Sequence, residues 1–367
     1  MRALKIDFQI CQSNEFATLK SELAKFTSRA YFVGGCVRDA LLGIKSDDFD
    51  IEIYDISPKQ FENIMNKLGA KGVGKSFFVY KFGNFDLALP RTESKNGIGH
   101  RAFKISICND EKTASKRRDF TINSIMINIF SDEVLDFWGG RDDLRSKTLK
   151  IIDKKTFCDD TLRVLRAVQF ASRFDLKIDS NSLNLMKTLD ISDLSADRIR
   201  IELEKLFTSK FQAVGIKALC DLNLDLRLFG VKFDKNFANL VQKHFKFTQN
   251  PKTLLYDLVH YFRLDPKKLI KNLNLDNSYK KIIKEPYFKR VSRLNLIQIA
   301  FEMPLKDWLG LNTASRVNLA KKLGFYDKKI NFSVENTGFD KLNLKQKLAQ
   351  IQIQKQAKIK EILRKFV

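Results

Sequence analysis

The run Asp48-Phe49-Asp50-Ile51-Glu52-Ile53-Tyr54 alternates between carboxylates and apolar side chains. Successive side chains of a strand point to opposite faces, so this period of two specifies a β-strand with Phe49, Ile51 and Ile53 on one face and Asp48, Asp50 and Glu52 on the other. Other short β-branched and aromatic runs share the region up to about residue 145: AYFVGG, SFFVYKFG, NFDLALP, TINSIMINIF and EVLDFW. They are mixed with helical segments such as PKQFENIMNKLG, and together they predict an α/β layer. After DDLRSKTLK the texture changes to helix-length pieces, TLRVLRAVQFASRF, NSLNLMKTLD and SADRIRIELEKLF, then many Leu-, Phe- and Lys-rich segments. The rear is therefore expected to be all α, its tail KLNLKQKLAQIQIQKQAKIKEILRKFV forming one long basic amphipathic helix or two. At 367 residues the chain exceeds one ordinary core, so a multidomain arrangement is expected. Pro251, Pro266, Pro286 and Pro304 mark single-residue breaks, which leaves room only for short linkers.

Charge divides the chain in the same way. Residues 1–207 hold 34 Lys and Arg against 30 Asp and Glu, whereas residues 208–367 hold 32 against 13. A surplus of 19 in the rear points to a polyanion, and phosphate neutralisation makes nucleic acid the favoured partner over a membrane surface. No apolar run reaches the roughly 18 residues of a membrane span, and the N-terminus lacks a signal-peptide layout, so a soluble cytoplasmic protein is expected. Five scattered cysteines (Cys11, Cys36, Cys108, Cys158, Cys220) form no CxxC pair and read as small buried residues. Three histidines (His100, His244, His260), none beside an Asp, exclude a histidine-rich metal centre.

Asp48 and Asp50, two apart on a strand, point the same way and repel each other unless a cation sits between them. Mg²⁺, with hard oxygen ligands and bound phosphate, suits such a pair, and two-metal phosphoryl or nucleotidyl transfer uses this geometry. Upstream, Gly34-Gly35 falls between a strand and a helix, where backbone N–H groups can approach phosphate closely and the helix start adds a positive dipole end. Arg38 follows three residues later, placed for a triphosphate oxygen. Glycine turn, arginine and carboxylate pair in one short window favour a nucleoside triphosphate site. Asp86, in the run NFDLALP, is a candidate third acidic position on an adjacent strand, with Glu52 as a rival.

With these residues in hand, the chain resembles the class II tRNA nucleotidyltransferases, the CCA-adding enzymes of the polymerase-β-like superfamily, over roughly residues 30–207. VGGCVRDALLG followed by DFD looks like the family's catalytic motif. That resemblance implies that Asp48 and Asp50 hold the metals while Gly34, Gly35 and Arg38 touch the incoming nucleotide. The segment Lys116 to Ser124 (KRRDFTINS) looks like the family's RRDFTxNA motif, with Ser124 where Ala is usual. It implies ribose selection by Asp119 and phosphate contact by Arg117, with Asn123 and, at the head of RTESKNGIGHR, Arg91 as further candidates. DDTLRVLR, Asp159 to Arg166, resembles the family's EDxxR template, with Asp159 in place of Glu. Asp160 and Arg163, three apart on a helix, are implied to read the base edge, and Arg166 continues the arginine row until Gln169 interrupts it. LSADRIRIEL, Leu194 to Leu203, looks like the last motif, with Asp197 in place of Glu, and its apolar spacing marks a packing helix.

The resemblance implies a nucleotidyltransferase head over 1–146, a base-selecting neck over 147–207, a helical RNA-binding body over 208–290 and a basic, tRNA-binding tail over 291–367. It implies addition of CCA to the tRNA acceptor arm from CTP and ATP with Mg²⁺. A-only, CC-only and poly(A)-adding relatives share the motifs, and a non-catalytic RNA-binding protein is the rival from another class. The glycine-bearing loop between Arg91 and Lys116 disfavours the CC-only reading, since CC-only enzymes typically lack such a loop. Some relatives append a phosphohydrolase domain with paired His-Asp; no His-Asp dipeptide occurs here, so no active domain of that kind is expected.

Overall fold

A computed structural model describes residues 9–74, 79–95, 103–248, 250–335 and 342–366. The chain forms two compact units, residues 1–195 and 196–367.

The alternating run does become a strand. In the first unit β1 (Ala30–Val33), β2 (Phe49–Ile53), β3 (Lys71–Gly74), β4 (Val79–Phe82) and β5 (Phe85–Ala88) form one sheet. It also takes in β8 (Met126–Asn128) and β9 (Val134–Leu135), in the order β3-β4-β5-β2-β1-β8-β9. β2 and β5 run parallel, and the other described neighbours in this sheet run antiparallel. The crossover between β2 and β5 holds the helix Pro58–Lys67, opened by a Ser57/Gln60 capping box with Pro58 in the first turn. Phe61, Ile64 and Met65 are its buried stripe, at the spacing of one helix face.

Phenylalanines fill the space under one face of the sheet. Phe32, Phe49 and Phe85, from β1, β2 and β5, pack with Phe16 of the helix Asn14–Leu23 at centroid separations of 5.5 to 6.0 Å. Tyr31, Val33, Tyr54, Ala114 and Met126 cluster on the other side. On the polar face of β2, Glu52 is buried and Asp50 is exposed.

Residues 147–195 fold with the sheet. β10 (Thr148–Leu149) pairs parallel with β11 (Lys177–Ile178), and the chain between them carries the helix Leu162–Phe174. Val164, Leu165, Ala167, Val168, Phe170 and Ala171 are its buried side, and Phe170 meets Phe120 edge to face at 5.8 Å. It stops at Asp175, whose left-handed φ of 57° ends the helical run.

Two expectations change. The stretch Arg91 to Lys116, expected to be a loop, contains a two-stranded ribbon of β6 (Arg91–Lys95) and β7 (Phe103–Ile107) followed by the helix Glu111–Ser115; residues 96–102, His100 included, lie outside the described residues. Alternation in FKISI is the local signal for β7. Of the five cysteines only Cys36 is buried; Cys11 is exposed and the others are half-buried, all as free thiols. Scattered single cysteines carry no period from which their burial could be read.

The second unit is helical in its described residues, from Ala196–Phe207 to a single 21-residue C-terminal helix, Leu344–Arg364. One core gathers round Trp308, with Leu296, Ile297, Leu305, Leu311 and Ile362. The C-terminal helix adds mainly its last turns to that core, and Leu344, Leu348 and Ile353 stay exposed. A buried polar knot lies in the same unit. His244 Nδ1 meets Asp257 Oδ2 at 2.8 Å, Asn312 Nδ2 donates to Asp257 Oδ1 at 3.1 Å, and Arg316 Nη1 donates to Asn312 Oδ1 at 3.0 Å. Tertiary packing thus brings together a His and an Asp that no dipeptide joins. No described helix is long and apolar enough to cross a membrane.

Candidate active site

Every candidate residue except Asp48 lines one cavity of about 490 Å³ in the first unit, a volume that suits a nucleotide. The parallel register of β2 and β5 sets Asp50 opposite Asp86, so two carboxylates on neighbouring strands face the same space. Asp48 precedes the first residue of β2, outside the cavity wall, and its side chain is largely exposed. Lys81 Nζ links the two rims, 3.1 Å from Asp48 Oδ1 and 3.4 Å from Asp86 Oδ1. The register of β4 against β5 puts it there, opposite Asp86.

Asp50 is the poorly compensated member. Burial, then the charges of Asp86 and Asp48, push Asp50 up to about 6. Its residue surface is still open to water, which softens the burial and leaves like-charge repulsion as the strain a counter-cation would relieve. Asp86 Oδ1 is buried and accepts no hydrogen bond. Among the described residues no three His, Cys, Asp or Glu side chains converge as a ready-made metal cluster. The donor set therefore fits a hard divalent cation held by one or two carboxylates, with water and substrate phosphate completing its shell.

The glycine turn stands beside them. Gly34 has φ +74°, a backbone region that favours glycine, and a Cβ there would lie 3.5 Å from Asp50 Oδ2. The helix Gly35–Leu41 follows at once. Arg38, expected at a triphosphate oxygen, lines the cavity but is only 4% exposed. Its Nε and Nη2 donate to Asp39 at 2.8 and 2.6 Å, its Nη1 donates to Asn123 Oδ1 at 2.7 Å, and the rings of Phe170 and Phe174 flank it at 5.0 and 4.5 Å. Three of its bonds are held inside the fold, so it builds the wall.

The RRD segment supplies the opposite side. Asp119 is buried; its Oδ2 accepts Arg166 Nε at 2.7 Å and its Oδ1 accepts Asn123 Nδ2 at 2.9 Å. Burial raises its pKa, but the Arg166 charge and these hydrogen bonds prevail and hold it below the ordinary carboxylate value. Glu52, the rival third acid, lies 2% exposed beneath Arg117 and Arg118, at 2.7 and 3.0 Å, and accepts the Tyr54 hydroxyl at 3.0 Å. Burial alone would lift its pKa, yet the two guanidinium charges hold it at about 2. Glu52 is thus the anchor of the arginines.

Asp160 and Arg163 both reach the cavity, though not from one helix, as expected. The helix begins at Leu162, and Asp160 stands ahead of it in a turn closed by Arg163 N–H to the Asp160 carbonyl at 3.1 Å. Arg163 is aimed by carbonyls: Nη1 donates to Thr156 O and Nη2 to Arg117 O, both at 2.7 Å. Gln169, where the arginine row stops, is 1% exposed, a core position that takes a neutral amide more readily than a guanidinium. Sequence reasoning assigned no role to Arg118 or Lys81. Arg118 sits inside the RRD motif, so a signal existed; Lys81 depends on strand register, which left none.

Residues 30–150 match the poly A polymerase head domain. A multifunctional CCA protein of Xylella fastidiosa strain 9a5c is 37% identical over 209 residues, covering 53% of this chain and 48% of that protein. A CCA-adding enzyme of Oceanobacillus iheyensis is 31% identical over 204 residues, covering 54% and 50%. The chain thus spans about half the length of these curated relatives. A Thermotoga maritima CCA-adding enzyme solved in complex with tRNA shares the fold, with a TM-score of 0.65 at 20% identity over 95% of this chain and 92% of that one. Carboxylates in register and an arginine wall thus lie within a segment that matches the poly A polymerase head domain, in a chain similar to CCA-adding enzymes over about half of their length.

Proposed function

We propose that this protein adds the 3′-terminal CCA to tRNA from CTP and ATP, without a nucleic-acid template. The observation that carries the reading is the Asp50–Asp86 pair, in register on parallel strands and facing Arg117, Arg118, Arg163 and Arg166 across one nucleotide-sized cavity. Divalent metal is general to the family, and Mg²⁺ is our specific reading, held by Asp50 and Asp48 with Asp86 beside them. The chemistry that bound Mg²⁺ supplies is Lewis acidity at the attacking 3′-OH and at the departing pyrophosphate.

The chain's own residues do the rest. Gly34 and Gly35 let backbone approach the triphosphate, while Arg117, braced by Glu52, meets its oxygens with Arg91 nearby. Asp119, fixed by Arg166 and Asn123, offers a carboxylate to the ribose hydroxyl. Arg38 positions Asn123. Asp160 and Arg163 present an acceptor and fixed donors to the base edge, which selects cytosine or adenine. In this division of labour a head (1–146) and neck (147–207) carry the chemistry. A body (208–290) and tail (291–367) grip the acceptor arm through its phosphates, as their excess of basic residues suits. The Thermotoga relative's complex with tRNA supports that partner.

Three tRNA transcripts, ending before CCA, after one C and after CC, offered with Mg²⁺ and labelled CTP or ATP singly and together, test the reading. Growth of the bare transcript to a complete CCA end that then stops is the expected result. Extension of the CC-ended transcript alone would make this an A-adding specialist, and no incorporation would overturn the assignment.

A further inference from the structure

We infer that Lys81 is a positioning residue of the transfer site: its ammonium and a divalent cation compete for the same carboxylates, so the metal enters by exchange with Lys81. The inference rests on the reading of Asp48, Asp50 and Asp86 as the cation-holding group. Strand register sets up the competition. Antiparallel pairing puts Lys71 of β3 opposite Lys81 of β4, and Lys81 opposite Asp86 of β5; parallel pairing puts Asp86 opposite Asp50 of β2. Residues directly opposite on neighbouring strands share a face, so one row across the sheet carries two ammonium groups followed by two carboxylates.

The inner lysine is the one that bridges. Lys81 Nζ donates to Asp48 Oδ1 at 3.1 Å and stands 3.4 Å from Asp86 Oδ1, so one ammonium ties together a carboxylate ahead of β2 and another on β5. A dication that takes either carboxylate as a ligand comes within a few ångströms of that ammonium, where like charges repel strongly. The Lys81 side chain is free to yield, being 46% exposed on a flexible four-carbon stem. Its departure releases Asp48 to turn toward Asp50. The exchange sets a threshold: Lys81 keeps the affinity for bare metal low, and triphosphate oxygens supply the further ligands that make the exchange favourable. Each exposed ion pair shifts an equilibrium only a few-fold, so losing both pairs and the repulsion together is expected to tighten metal binding by about tenfold.

Titration of Mn²⁺ into the full chain without nucleotide or tRNA, read as loss of the free-ion electron paramagnetic resonance signal, tests the exchange. Lys81→Met and Lys81→Gln are each expected to bind Mn²⁺ about tenfold more tightly than the natural chain. Damage to the fold would weaken binding, the opposite sign. Lys71→Met, which removes the same charge one strand further out, should change the affinity less than twofold. Asp50→Asn, alone or combined with Lys81→Met, should weaken binding at least tenfold and so locate the ion. Unchanged affinity in both Lys81 variants overturns the proposal alone, as does an equal gain in Lys71→Met, which would reduce the effect to the general field of the surface. Binding indifferent to Asp50→Asn in both backgrounds overturns the reading of the carboxylates, and the proposal with it.

Discussion

Glu52→Gln keeps the shape of the side chain and removes the charge that Arg117 and Arg118 surround. A carboxyl held at about 2 instead of 4.5 gains about 3 kcal/mol in the folded state, at ~1.36 kcal/mol per pK unit. The figure agrees with the roughly 3–5 kcal/mol lost when one partner of a buried ion pair is removed. Because the folded pKa is depressed, this stability is fully present above about pH 4.5 and is lost as pH falls through about 2, so that at pH 3 roughly half of it or less remains. The variant should therefore lose about 3 kcal/mol at pH 7 and about half of that at pH 3. Urea titration read by pulsed amide exchange on peptides covering residues 49–54 scores the first unit's transition alone. Nucleotide binding should weaken with it, since neither arginine keeps its anchor. A loss below about 1 kcal/mol at pH 7, or one that does not shrink on acidification, would show that Glu52 does not carry the arginines.

The carboxylate pair makes an opposite stability prediction. Asp50→Asn and Asp86→Asn should each cut CCA addition by about 10³-fold, leave tRNA affinity within about twofold, and raise the melting temperature in EDTA, because each removes self-repulsion. Joint loss of tRNA binding and activity, or a fall in melting temperature, counts against that account. Arg163→Ala should blunt preference for CTP and ATP over UTP and GTP in single-nucleotide incorporation; unchanged discrimination removes Arg163 from base selection. Gly34→Ala should cost about 1–2 kcal/mol, because a side chain is forced to φ +74° while its Cβ meets Asp50 only at ordinary contact distance. Chemical denaturation checks the cost, and a neutral substitution would mean the turn relaxes.

The period of two in Asp48 to Tyr54 made a strand legible because alternation is a local property. It also told which side chains share a face, and Asp50 and Glu52 do share one. What it could not carry is what covers each position along that face. Tyr31, Tyr54, Ala114 and Met126 gather over one part of the sheet, and the arginines of a segment 65 residues away close over Glu52. Both carboxylates line the cavity, but Asp50, two residues earlier, is left exposed. One carboxylate became a structural counter-ion and its neighbour a candidate metal ligand through packing alone. Asp86 depended likewise on the register of β5 against β2, and Lys81 on that of β4 against β5.

The motif residues teach a related lesson about side-chain direction. The sequence predicts nucleotide contacts for Arg38, Asp119 and Arg166, with Asn123 a further candidate, because each lies in a segment whose chemistry suits phosphate, ribose or base. All four do line the cavity, but they bond first to one another: Arg38 to Asn123, Asn123 to Asp119, and Asp119 to Arg166. A chain of charged and amide groups held this way has lost its rotamer freedom before any ligand arrives, so the cost of ordering it is not charged against binding. It also ties the glycine-turn helix Gly35–Leu41 to the helix Leu162–Phe174 through side chains more than 80 residues apart in sequence. Replacing any one member should therefore disturb the positions of the others as much as its own contact. Double-mutant cycles between Arg38 and Arg166, which share no direct hydrogen bond, should show coupling of about 0.5 kcal/mol or more in nucleotide affinity; simple additivity would mean that the four act as independent contacts.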